Sequence, residues 1–158
     1  MSGQVNATLD LELARVIKAP RKAVWNAWAD PRLFARWWLP EPYQCRVITM
    51  DLRPGGGLQT EMSEDGKVFT PHMNACFLDV ETEARIVFTN ALMGGWRPVE
   101  KFYPAALSAV ITLREHPQGT QYAAHVMHKN NADRDRHAEM GFLDGWGTVA
   151  AQLAKLVE

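Results

Sequence analysis

Near its C-terminus the chain carries five bulky apolar residues on a single stripe: Phe142, Trp146, Val149, Leu153 and Leu156. Their separations of four, three, four and three residues are those of neighbours on one side of an α-helix. A stripe this long must be buried against something, and the residues before it predict what. Six successive segments, 43–52, 58–64, 67–80, 85–92, 106–115 and 120–128, read as strands. Most are joined by short turns, which predicts an antiparallel meander, because parallel neighbours need long crossovers. Asp65-Gly66 is the strongest kind of tight-hairpin signal. The expected class is α+β, with one sheet face covered by the terminal helix.

The N-terminal part supplies the remaining elements. In residues 8–17, Leu9, Leu11 and Leu13 share one face of a strand, with Asp10 and Glu12 on the other. Pro20 suits the first turn of a helix running to about Ala29, with Val24 and Trp28 one turn apart. Asp30-Pro31 reads as a cap followed by proline, opening a short helix through Trp38 that Pro40 and Pro42 stop. The predicted order is strand, helix, helix, six strands, helix, in one domain over 1–158 with a core over about 9–157. A long loop from Met93 to Pro104 carries Gly94-Gly95-Trp96-Arg97-Pro98 and Phe102-Tyr103. Gly141, Gly145 and Gly147 fall in the first half of the final helix, where each costs about 1 kcal/mol relative to Ala. They imply either close approach to the sheet or room for a ligand.

Composition removes several function classes. Seventeen basic residues against eighteen acidic ones, a net charge of −1, leave no basic field for a phosphate backbone, so nucleic acid is not an expected partner. The first residues lack the basic-then-apolar pattern of a signal peptide, and no apolar run approaches the length of a membrane span. Cys45 and Cys76 read as reduced thiols outside any CxxC motif. A cytoplasmic protein is expected.

Several motifs then occur in a telling order. Ala19-Pro20 through Val24-Trp25, Asp30-Pro31, Trp37-Trp38 and Pro40 are followed by Asp51-Leu52-Arg53-Pro54-Gly55-Gly56-Gly57, Asp65-Gly66, Ile86-Val87-Phe88-Thr89, Gly119-Thr120 and Gly145-Trp146. Together they resemble the START-like (SRPBCC) superfamily, and within it the branch named for the C-terminal domain of the activator of the heat-shock-protein-90 ATPase. The resemblance implies a helix-grip fold, in which a curved antiparallel sheet wraps the C-terminal helix around an elongated cavity. It also implies binding of small apolar or aromatic molecules. Polyketide-cyclase-like or hydrolase-like catalysis and a chaperone-interaction role are the alternatives that it carries.

The candidate site residues follow from residue type and alternation. Six Trp are present. Trp25, Trp28, Trp37 and Trp146 read as core packing, although Trp146 stands where a cavity would be lined; Trp38 and Trp96 are placed at a pocket or its rim. Indole combines a large apolar face with an N–H that wants a partner, which suits an apolar ligand with a polar handle. Alternation groups Leu58, Thr60 and Met62, then Ile86, Phe88 and Asn90, then Tyr122, Ala124, Val126 and His128. With those faces inward, the expected ligand-binding set is Trp38, Met62, Phe88, Asn90, Trp96, Tyr122, His128, Phe142 and Trp146. His128 and Tyr122 are the acid–base candidates, although a hydrogen-bonded structural His128 is the plainer reading. His128 has His137 or His72 as possible partners. No metal-ligand spacing occurs, and neither metal nor cofactor is expected. Gly55-Gly56-Gly57 leads into a strand without a following Lys-Ser/Thr, so it reads as a turn or bulge and not a phosphate loop. Residues 129–137 read as a solvated helix start with Asp133 as the capping candidate.

Overall fold

The structure, a computed structural model, describes residues 4–101 and 105–158. Phe102, Tyr103 and Pro104 of the expected loop lie outside the described residues. Strand β1 (Asp10–Ile17) leads into helix α1 (Arg21–Ala29) and a single helical turn, α2 (Pro31–Phe34). Strands β2 (Gln44–Met50), β3 (Gly57–Ser63), β4 (Thr70–Glu81) and β5 (Arg85–Thr89) follow. A small hairpin, β6 (Leu92–Met93) and β7 (Arg97–Pro98), precedes β8 (Leu107–His116) and β9 (Gly119–His128). The chain closes with α3 (Asn131–Glu139) and α4 (Phe142–Val157).

The seven main strands form one antiparallel sheet in the order β1-β9-β8-β5-β4-β3-β2. Helix α4 packs on it together with α1, which is the helix-grip arrangement. Leu11, Leu13 and Ile17 of β1 stand opposite Val126, Ala124 and Thr120 of β9. The alternating residues of β9, Tyr122, Ala124, Val126 and His128, are all buried on the core face. So are Leu58 and Thr60 of β3 and Ile86 and Phe88 of β5. A register shift between Thr60 and Glu61 follows, and Met62 beyond it is only half-buried. From α4, Phe142, Val149 and Leu153 reach the core, with Trp146 and Leu156 packed beside it. Each fully buried apolar side chain of this size contributes roughly 1.5–3 kcal/mol.

Five expectations needed correction. The two-residue hairpin expected at Asp65-Gly66 is a longer loop, with β3 ending at Ser63 and β4 starting at Thr70, because the Asp65 carboxylate accepts from Lys67 N and Val68 N and the Ser63 hydroxyl from Gly66 N, which takes these amides out of strand pairing. The second helix ends at Phe34 rather than Trp38: the amides of Trp37 and Trp38 both reach the Phe34 carbonyl, closing tight turns in place of a further helical turn. The strand expected over 85–92 splits, because Asn90 turns its side chain on the backbone, its amide group donating to Ala105 O (3.0 Å) and its oxygen accepting from Leu107 N (2.9 Å). The C-terminal helix is two helices, broken at Met140-Gly141, where Gly141 has φ +93°. The cap of α3 is Asn130, whose side chain accepts from Asp133 N; Asp133 lies in the first turn and pairs with Lys129 and Arg136.

The three consecutive glycines form a turn, as expected, with a tertiary reason for it. A Cβ on Gly56 would lie 1.8 Å from the Asp51 carbonyl oxygen, and one on Gly94 would lie 3.1 Å from Gly57 Cα. The β6–β7 hairpin therefore sits backbone to backbone on this turn, fastened by Gly95 N donating to Gly55 O at 2.8 Å.

Candidate functional site

An unbroken run of aromatic rings crosses the space between α1, the sheet and the start of α4. Trp28 on α1 is its hub, with ring centroids 5.3 Å from Phe34, 5.3 Å from Trp37, 5.5 Å from Trp38 and 6.2 Å from Phe88. Trp38 stacks on Phe34 at 4.7 Å and meets Trp146 of α4 edge-on at 6.4 Å. Trp146 continues to Phe142 at 5.3 Å and His137 at 6.5 Å, and His137 meets His128 at 5.1 Å. Such ring pairs add about 0.5–1.5 kcal/mol beyond area burial.

The Trp38 segment is held onto α4 by Gln152. Its amide nitrogen donates to the carbonyls of Trp37 (3.0 Å) and Leu39 (2.8 Å), and its oxygen accepts from Glu41 N (2.9 Å). Three backbone groups of an irregular segment thus find partners on one helix side chain.

The indole nitrogens are not equivalent. Trp28 Nε1 donates to the Tyr122 hydroxyl at 3.2 Å, and Trp37 Nε1 donates to Ala27 O at 2.9 Å. Trp38 Nε1 is buried and has no partner among the described residues. An unsatisfied buried donor costs about 1–3 kcal/mol, which makes it a specific feature to be accounted for. Helix α4, whose Trp146 meets Trp38, carries glycines where most helices present side chains. A Cβ at Gly145 or at Gly147 would meet nothing within 4 Å. Close approach to the sheet is therefore not what these glycines serve; they leave open space on both sides of Trp146.

The histidine pair has one readable proton arrangement. His128 Nδ1 lies 2.9 Å from Leu9 O, and a carbonyl can only accept, so Nδ1 carries the hydrogen. In that tautomer His128 Nε2 is an acceptor, and His137 Nδ1, 2.9 Å away, donates to it. Burial, reinforced by the nearby His128, pushes the His137 pKa down to about 4, so the ring is neutral at pH 7.

The candidate residues thus divide. Trp38, Phe88, Phe142 and Trp146 share the aromatic run, and His128 ends it with both ring nitrogens engaged. Tyr122 is buried with its hydroxyl accepting from Trp28, and burial raises its pKa above the ordinary value. Asn90 spends its amide on the backbone. Met62 lies apart, in a groove of about 260 Å³ on the β3–β4 hairpin with Val68. A second groove, about 240 Å³, runs along Thr89, Ser108 and Met127 to His128. Neither groove takes a lining residue from α4. Trp96 is half exposed on the glycine turn. Among the described residues no group of three or more His, Cys, Asp or Glu could hold a metal ion. Gln152 was missed by sequence reasoning, and its polarity inside an apolar helical stripe was the available signal. His137 was named only as a partner for His128.

No helix among the described residues is long and apolar enough to cross a membrane. The family model described as "Activator of Hsp90 ATPase homolog 1-like protein" matches residues 18–158. A crystal structure of a protein from Nitrosomonas europaea is 39% identical with a TM-score of 0.84, covering 96% of this chain and 96% of its own. Another, from Chromobacterium violaceum, is 25% identical with a TM-score of 0.72, covering 94% and 97% of the two chains. The solution structure of the AHSA1-like protein from Aeromonas hydrophila, 20% identical over 94% and 92%, shares the fold with a TM-score of 0.68. Among curated proteins no relative of this chain is found.

Proposed function

Because the chain belongs to the Activator of Hsp90 ATPase homolog 1-like family, within the START-like superfamily, we propose that it binds a small apolar or aromatic molecule between the sheet and helix α4. The molecule lies against Trp38, Phe88 and Trp146. The observation that carries this reading is the buried, unpartnered N–H of Trp38 within an aromatic wall. A ligand acceptor atom placed there would satisfy it. Entry is through the first turns of α4. That end starts at Gly141 with no side-chain cap and contains Gly145 and Gly147, so it is the least costly part of the helix to displace.

Native mass spectrometry of freshly purified protein tests the reading. A small molecule retained by the wild type and largely lost from Trp38→Phe, which keeps an aromatic ring but removes the N–H, is the expected outcome. Protein that carries nothing and whose tryptophan emission is untouched by anilinonaphthalene sulfonate would reject it.

A chaperone-interaction role is the second reading, favoured by Trp96. This indole is 52% exposed, has φ +65° and rests on a rigid glycine turn, a costly way to present an aromatic side chain to solvent. Retention of the cognate heat-shock-protein-90 chaperone by the wild type but not by Trp96→Ala would support it; equal retention would dismiss Trp96 as the contact.

A further inference from the structure

The two facing histidines fix where a hydrogen can sit at the α3 end of the aromatic run. Leu9 O forces the hydrogen of His128 onto Nδ1, and His128 Nε2 in turn draws the hydrogen of His137 onto its Nδ1. The remaining nitrogen, His137 Nε2, is therefore a bare acceptor. It has no hydrogen-bond partner among the described residues, and the residue keeps 7% of its surface exposed, so this nitrogen is neither paired nor sealed. The ring stands edge-on to Phe142 at 5.2 Å and beside Trp146 at 6.5 Å, on the aromatic run that also holds Trp38.

We propose that the molecule bound against Trp146 carries a hydroxyl or N–H group, and that this group donates its hydrogen to His137 Nε2. The inference rests on the ligand-binding reading above and narrows it. Trp38 Nε1 selects only for an acceptor, which a ketone or ether satisfies as well as an alcohol. His137 adds a requirement for a donor, which ketones and ethers lack. The ligand class becomes hydroxylated or N–H-bearing aromatic or alicyclic molecules. His128 is a positioning residue in this scheme, since it touches no ligand and acts by holding the tautomer of His137. At neutral pH the His137 ring is unprotonated and keeps one acceptor nitrogen, which the contact with His128 makes Nε2.

Calorimetric titration of the full chain with 2-naphthol and with 2-methoxynaphthalene tests this. The two probes share the ring system and the oxygen, and only the first has a hydrogen to donate. Wild-type protein is expected to bind 2-naphthol about tenfold more tightly, the usual worth of one good hydrogen bond to a buried site. In His137→Leu the ratio should fall to about one through loss of 2-naphthol affinity alone. In His128→Leu the ratio should fall while 2-methoxynaphthalene affinity stays put, which a merely structural role for His128 would not produce. His137→Gln, which keeps an acceptor oxygen, should retain part of the ratio, and it carries the test should the leucine variant fail to fold. Equal affinities for both probes in the wild type overturn the proposal while leaving the pocket standing. A ratio unchanged by both His137 substitutions overturns it as well. Binding of neither probe overturns the pocket reading and this inference with it.

Discussion

The indole of Trp96 rests on the bare backbone of Gly55: a Cβ built on that glycine would stand 2.7 Å from the ring. Gly55 also has φ +85°, a left-handed conformation that suits glycine alone. Gly55→Ala should therefore destabilise the protein by roughly 1–3 kcal/mol, part from backbone strain and part from the clash. Trp96→Ala in the same chain should return the clash part, so a double-mutant cycle by urea denaturation should show clear non-additivity. Strict additivity would mean that the indole leaves the glycine turn in solution.

Stability should depend on pH through His137. Its folded pKa of about 4 lies below the ordinary 6.5, so between these values the unfolded chain binds more protons than the folded one. Stability contributed by the neutral ring is thus complete above pH 6.5 and falls as the pH drops toward 4. The expected loss is on the order of 1–2 kcal/mol, taking partial solvent access into account. Denaturation midpoints at pH 7.5, 6 and 5 should show a decline that is shallower in His137→Phe. The same slope in both proteins would assign the effect elsewhere.

Gln152 ties the Trp37–Glu41 segment to α4 through three hydrogen bonds. Gln152→Leu leaves three backbone groups to find water, at a cost of about 1–3 kcal/mol. Because this segment carries Trp38, the substitution should also broaden and red-shift the tryptophan emission. Unchanged emission together with unchanged stability would show that the segment holds itself in place by its turns.

Gly145→Ala and Gly147→Ala place a methyl where nothing lies within 4 Å. Each should raise stability by up to about 1 kcal/mol through helix propensity. Under the proposed entry route the same changes stiffen the start of α4, so the double variant should be more stable and should take up a naphthalene probe more slowly. A faster or unchanged uptake in stopped-flow fluorescence would argue that the helix start does not move.

Much of the architecture can be read from local pattern. The Leu9–Leu13 alternation and the Phe142-to-Leu156 stripe each report a periodicity that depends only on near neighbours along the chain, whereas the Asp65-Gly66 signal marked the turn but not its length. Alternation grouped the residues of β5 and β9 into faces but left open which face looks inward; the structure buries the one with Phe88 and the one with Val126. The division at Met140-Gly141 was not legible, because the apolar stripe begins only at Phe142 and says nothing about the polar turn before it. Met62 followed the alternation of β3 on paper. It is only half-buried, beyond a register shift at which His72 of the neighbouring β4 is the extra residue, and nothing in the order of β3's own residues marks that.

The sequence by itself determined the elements, their order and the supply of aromatic rings between sheet and helix. Only the tertiary structure decided which polar atoms those rings leave unpaired. His128 and His137 are nine residues apart, yet the tautomer of both is set by Leu9 O, 119 residues from His128 along the chain. Among three indoles in one cluster, Trp28 and Trp37 find acceptors and Trp38 does not. Residue type states how many hydrogen bonds a side chain can make; where a partner stands is fixed by the packing of distant segments.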